Sequence, residues 1–208
     1  MNLDWRNEEF WNAISHAVGI LLGIFGMYLL LTNDSDKSPY STLSIYLYTL
    51  SILLLYTAST VYHLIAHIPW KTLFRKIDHI SIYFLIAGTY SPVALITLEQ
   101  DNGWLLFSIV WGIAALGTIL KLFFTGRFEI ISLLLYLAMG WLIVFDWQSL
   151  TQNTTEQGIN FLMLGGAFYT IGILFYAIKK IPYNHLVWHF FVLGGSISHF
   201  LFIFLDVI

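Results

Sequence analysis

The chain has 208 residues, 58 % of them apolar and only 10 % charged, against roughly 25 % charged in a soluble domain. That balance excludes an ordinary soluble globule, and the formal net charge of −3, without a basic stripe interleaved with aromatics, gives no reason to expect a nucleic-acid partner. Cysteine is absent, which removes disulfides and thiolate ligands, so any metal must be held by His, carboxylate or water.

Seven windows lack Asp, Glu, Lys and Arg altogether: residues 10–33, 38–70, 79–98, 102–120, 130–145, 157–178 and 181–205. A helix needs about 20 mostly apolar residues to cross a hydrocarbon core of about 30 Å. Six windows meet that length. The fifth, at 16 residues, is short, but Glu129 and Asp146 at its ends can reach the headgroup region. Continuous apolar runs without period-2 alternation exclude a barrel. The expected fold is therefore an all-α, seven-helix transmembrane bundle over residues 1–208, a single domain with no internal repeat.

In chain order the expected spans are about 13–32, 42–66, 79–98, 103–123, 130–146, 159–178 and 185–206. The leader MNLDWRNEEF carries three acids and no cleavage signal, so the first span reads as retained rather than as a signal peptide. The connections are expected at 33–39, 67–76, 99–103, 124–128, 148–158 and 179–184, where turn-forming residues cluster. Pro69 and Pro182 mark the end of the second span and the approach to the seventh. Trp5, Trp11, Trp70, Trp104, Trp147 and Trp188 fall near the expected interfaces as an aromatic belt. Small residues recur in the fourth and sixth spans (Gly112, Ala114, Ala115, Gly117; Gly165, Gly166, Ala167), where helices can approach closely.

Seven spans put Arg6, Lys71, Arg75, Lys76, Lys121, Arg127, Lys179 and Lys180 on one side and only Lys37 on the other. The positive-inside rule then predicts a cytoplasmic N-terminus and an outside C-terminus in the cell membrane.

With that orientation, polar residues that are costly in a span collect in one leaflet. Asn12 and His16 open the first span, Ser59 and His63 close the second, Asp78 and His79 open the third, and His185 and His189 open the seventh. Each has a plainer reading. Asp78 suits a helix N-cap, Ser59 suits a bond to its own backbone, and Asn12 and His16 suit packing or an outer coordination role. His67, at the same spacing from His63 as His189 from His185, precedes Pro69 and is expected at a solvated interface. His199 lies 14 residues beyond His185, about 21 Å deeper, and is expected to bond a neighbouring helix. Catalytic zinc takes three protein ligands and an open position. His63, His185 and His189 supply three imidazoles, Asp78 a general base, and Ser59 a donor to a developing oxyanion.

The stretches EEFWNAISH, STVYH, DHISIYFLIAGTYSP, GW and HLVWHFFVLGGSISHF occur in order over nearly the whole chain and resemble the haemolysin III family. That family is similar to the progestin and adipoQ (adiponectin) receptors and, more distantly, to alkaline ceramidases. The resemblance implies a seven-helix bundle with zinc held by His63, His185 and His189, with Asp78 beside it and Ser59 in the S-x-x-x-H motif. It also implies hydrolysis of a lipid amide or ester, with a membrane lipid as substrate. The acidic calcium site of alkaline ceramidases has no clear counterpart in this chain. The rival readings are a zinc-containing sensor or receptor that breaks no bond, and a haemolysin-like pore. Self-association into a homo-oligomer is compatible with all three.

Overall fold

The computed structural model describes residues 7–208, so Trp5 and Arg6 lie outside the described residues. The chain folds into helices α1 (Glu8–Asn33), α2 (Ser41–Leu64), α3 (Ile68–Pro92), α4 (Gly103–Phe124), α5 (Glu129–Gly140), α6 (Trp147–Asn153), α7 (Glu156–Ala177) and α8 (Asn184–Phe202). Among the described residues there is no strand, and seven helical stretches are long and apolar enough to cross a membrane, α5 and α6 sharing one of them. Large apolar side chains such as Leu21, Phe25, Leu105, Phe123, Ile130 and Leu134 point outward, as a lipid-facing surface requires.

Local chemistry starts the helices. The Asn7 side chain accepts from the Glu9 amide at 3.1 Å, and Glu8 and Glu9 place negative charge at the positive end of α1. The third helix departs from expectation. It begins at Ile68, with Pro69 in its first turn, where a missing N–H costs nothing. The stretch 67–76 is therefore helix rather than connection, and Pro69 opens α3 instead of closing α2. Asp78 accordingly sits ten residues into α3, about 15 Å from its start, and is not its N-cap. Pro92 cannot donate to the preceding turn, and the chain continues past it as a wider π-helical turn, Val93–Thr97.

The short fifth segment also differs from expectation. It is lengthened by a break at Trp141, a 3-10 turn at Leu142–Asp146 and then α6, so residues 148–153 are helical rather than connecting. A broken helix in a bilayer must have its freed backbone groups satisfied. Tyr90 on α3 does this from both sides, its hydroxyl donating to Gly140 O at 2.9 Å and accepting from Ile143 N at 3.0 Å. Tyr90→Phe is expected to lower stability by about 1–3 kcal/mol, because a buried carbonyl and amide both lose their partner. The midpoint of thermal unfolding in detergent checks this.

The most enclosed helices are α2 and α3, which pack extensively on one another, while α2 also packs on α1 and α7 on α8. At Gly19 a Cβ would collide with the Tyr56 ring, so the glycine lets α1 lie close against α2. Ser196 on α8 gathers the hydroxyls of Tyr56 (2.8 Å) and Tyr169 (2.9 Å), joining α2, α7 and α8. At the end of the bundle where α3 begins, the fully buried Lys121 pairs with Glu129 at 3.1 Å, and Arg75 and His79 stand 3.9 Å from the same carboxylate. A buried cation needs such a partner, and the pairing ties α3, α4 and α5 together at that end.

Candidate metal centre

Two helices deliver the three imidazoles. His63 is the penultimate residue of α2, and the tight connection through Ile65 and Ala66 brings α3 back beside it. His185 and His189 lie one turn apart in the first turns of α8, which starts after Tyr183 turns the chain with φ 54°. Asp78 comes from α3, and α1 closes the site from the opposite side.

His63, His185 and His189 each offer one ring nitrogen, and the three lie within 4.8 Å of one another. Their ring centroids are 5.1 Å (His63–His185), 5.1 Å (His63–His189) and 4.6 Å (His185–His189) apart. Nε2 of His63 and Nε2 of His185 are buried with no hydrogen-bond partner. A buried polar atom left unpaired is costly, and two such atoms in one cluster of imidazoles are what a metal would satisfy. Nitrogens around a tetrahedral zinc stand about 3.3 Å apart, within reach of these side chains by small rotations. The donor set therefore fits a cation that favours imidazole, zinc among them.

Two of the other ring nitrogens have defined tasks. His63 Nδ1 donates to Glu9 Oε2 at 2.7 Å, and Lys71 Nζ donates to the same oxygen at 3.2 Å. His189 Nδ1 lies 3.1 Å from the Asn12 carbonyl and 3.0 Å from Ser15 Oγ. The Ser15 hydroxyl gives its own proton to the Asn12 carbonyl at 2.9 Å, so the imidazole must be the donor to both. Both rings thus carry the proton on Nδ1 and present Nε2.

His16 lies flat against His189, with centroids 3.5 Å apart and planes at 10°, and edge-on to Tyr56 at 5.0 Å. It is buried and neither of its nitrogens has a partner. Asn12 reaches the site through its backbone carbonyl, while its side-chain oxygen is unpartnered. Ser59 does not bond its own backbone: its buried hydroxyl is turned to the Asp78 carboxylate.

A cavity of about 130 Å³ opens from the centre, with His16, Ser59, Asp78, His185 and His189 at one end. Beyond them its wall is chiefly apolar, including Ile82, Leu85, Leu133, Leu137 and Val192. A second cavity of about 60 Å³ adjoins it through Thr89, Tyr90, Trp141 and His199. Trp188 and Trp147, both expected near the interfaces, also line the first and the second cavity respectively.

The structure therefore gathers Asn12, His16, Ser59, His63, Asp78, His185 and His189 in one place. His67 is exposed at the start of α3, and His199 bonds Leu162 O on α7 at 3.2 Å, apart from the cluster. Glu9 and Ser15 were not singled out by sequence. Glu9 shares a helical stripe with Asn12 and His16, at spacings of three and four, and that stripe was the available signal.

Residues 4–200 match the family described as Haemolysin-III related. The chain is 43 % identical over 194 residues to Hemolysin-3 of Bacillus cereus, covering 93 % of this chain and 89 % of that protein. To the Hemolysin-3 homolog of Bacillus subtilis (strain 168) it is 42 % identical over 194 residues, with coverage of 93 % and 91 %. To the Monocyte to macrophage differentiation factor of Homo sapiens it is 29 % identical over 206 residues, covering 93 % and 82 %. A multi-pass integral membrane protein by its helices, matched over nearly its whole length, the chain belongs to the haemolysin-III-related family.

Proposed function

We propose that the protein is a zinc-dependent hydrolase embedded in the bilayer that cleaves an amide or ester bond of a lipid. The observation that carries this reading is the meeting of three imidazoles with Asp78 and Ser59 at the head of a largely apolar cavity. Bound zinc supplies a Lewis acid and brings the pKa of a water down to about 7. His63, His185 and His189 hold it, and among the described residues no fourth His or acid joins their group, which leaves the open position of a catalytic site.

Asp78 accepts a proton from the attacking water and returns it to the leaving nitrogen or oxygen as the C–N or C–O bond breaks. Ser59, beside Asp78, donates its hydroxyl to the carbonyl oxygen as negative charge gathers there. The apolar wall receives the acyl chain and keeps bulk water from the reacting atoms. The name of the Bacillus cereus relative, Hemolysin-3, speaks of haemolysis, but the mostly apolar cavity walls do not favour an aqueous path. The eight-to-one distribution of Lys and Arg supports an orientation with the histidine-bearing end of the bundle at the cytoplasmic leaflet, within reach of a headgroup linkage.

The test is direct. Purified zinc-loaded protein, given a panel of N-acyl sphingoid and O-acyl glycerol lipids in mixed micelles, is expected to release fatty acid detectable by mass spectrometry. Chelation should stop the release, and added zinc should restore it. A panel left intact by zinc-loaded protein would overturn the proposal.

A further inference from the structure

We propose that Glu9 is a positioning residue of the metal centre, which accepts a hydrogen bond from His63 Nδ1–H and thereby aims the His63 Nε2 lone pair at the cation. The inference rests on the reading of the three histidines as metal ligands and adds a residue from a helix that contributes no ligand. Its geometry is specific. The Glu9 carboxylate meets His63 Nδ1 at 2.7 Å, the shortest contact made by any histidine of the cluster. Being an acceptor only, the carboxylate fixes the tautomer.

The carboxylate is itself held. Lys71 of α3 donates to the same oxygen at 3.2 Å, donates to Tyr62 O at 3.3 Å and sits 4.7 Å from the centre of the Tyr62 ring. Glu9 thus spans α1, α2 and α3 through one oxygen. The opposite ligand is treated alike from the same helix, since the Asn12 carbonyl and Ser15 Oγ accept from His189 Nδ1–H. Helix α1 orients two of the three imidazoles without binding the cation. Glu9 also brings a carboxylate next to three imidazoles, which a divalent cation favours. Outer carboxylates of this kind raise the basicity of the ligand they hold, and their loss typically weakens metal binding by about 10–100-fold.

The experiment measures zinc affinity by competition with a chromophoric chelator, and the absorption spectrum of the cobalt(II)-substituted protein, in detergent-purified wild type and Glu9→Gln. Glu9→Gln is expected to weaken zinc by about 10–100-fold and to alter the cobalt ligand-field bands, with helical content and gel-filtration profile unchanged. Should that variant not fold, Glu9→Asp, which keeps the charge but is a methylene too short to reach His63 in this geometry, is expected to weaken zinc as well. In a His63→Ala background the Glu9 change should have no further effect on the residual affinity, since its influence runs through that ring. Wild-type zinc affinity and cobalt spectrum in a folded Glu9 variant, or an equal loss in the His63→Ala background, would overturn the assignment of Glu9 alone. Wild-type protein that binds no zinc would overturn the metal reading together with it.

Discussion

Asp78→Asn is expected to reduce lipid hydrolysis by about 10²–10⁴-fold, the usual worth of a general base, while zinc stays bound at the wild-type stoichiometry. The substitution is nearly isosteric and leaves an amide that cannot take a proton from water. Asp78 is buried in the middle of α3 and lines the cavity with Ser59, and it does not belong to the group of donors within 4.8 Å. Turnover and metal content therefore separate its roles. Turnover within threefold of wild type would remove Asp78 from the chemistry. Loss of zinc along with turnover would make it a fourth ligand, the arrangement of a structural site, and would favour the sensor reading over the hydrolase.

The second large effect concerns the ligands. His63→Ala, His185→Ala and His189→Ala are each expected to weaken zinc by more than about 100-fold, beyond the range typical of an outer partner. Metal analysis of the purified variants reads this directly. His67→Ala and His199→Ala serve as controls and should retain zinc, because His67 is exposed at the start of α3 and His199 is committed to Leu162 O. His189→Ala should also be the least stable of the three ligand variants, since its ring carries the stacked face of His16 and the bonds to Asn12 and Ser15.

Much of the site was legible because an apolar background makes polar residues conspicuous. His63, Ser59, His185 and His189 stand out from runs that otherwise suit a bilayer, and charge counting alone put them at one depth. Helix ends were less legible. The stretch HIPWKTLFRK carries a proline and four basic side chains counting His67 among them, which reads as a loop by hydropathy, yet proline is at home in a first helical turn and cations are at home on a helix that leaves the membrane. The polar QSLTQN was missed as helix for the same reason.

Glu9 and Ser15 were hidden by a different cause. Their partners are 54 and 174 residues away in sequence, and local periodicity carries no information about such a pairing. The cavity, too, depends on how α3, α5, α7 and α8 splay, and no run of residues announces it.

The bond from His189 to the Asn12 carbonyl joins α8 to α1. During synthesis α1 enters the bilayer long before α8 leaves the ribosome, and until then the carbonyl has no imidazole to receive. On the proposed reading, a cation is held in its final geometry only once α8 stands beside α1 and α2, so that metal loading follows the insertion of α8.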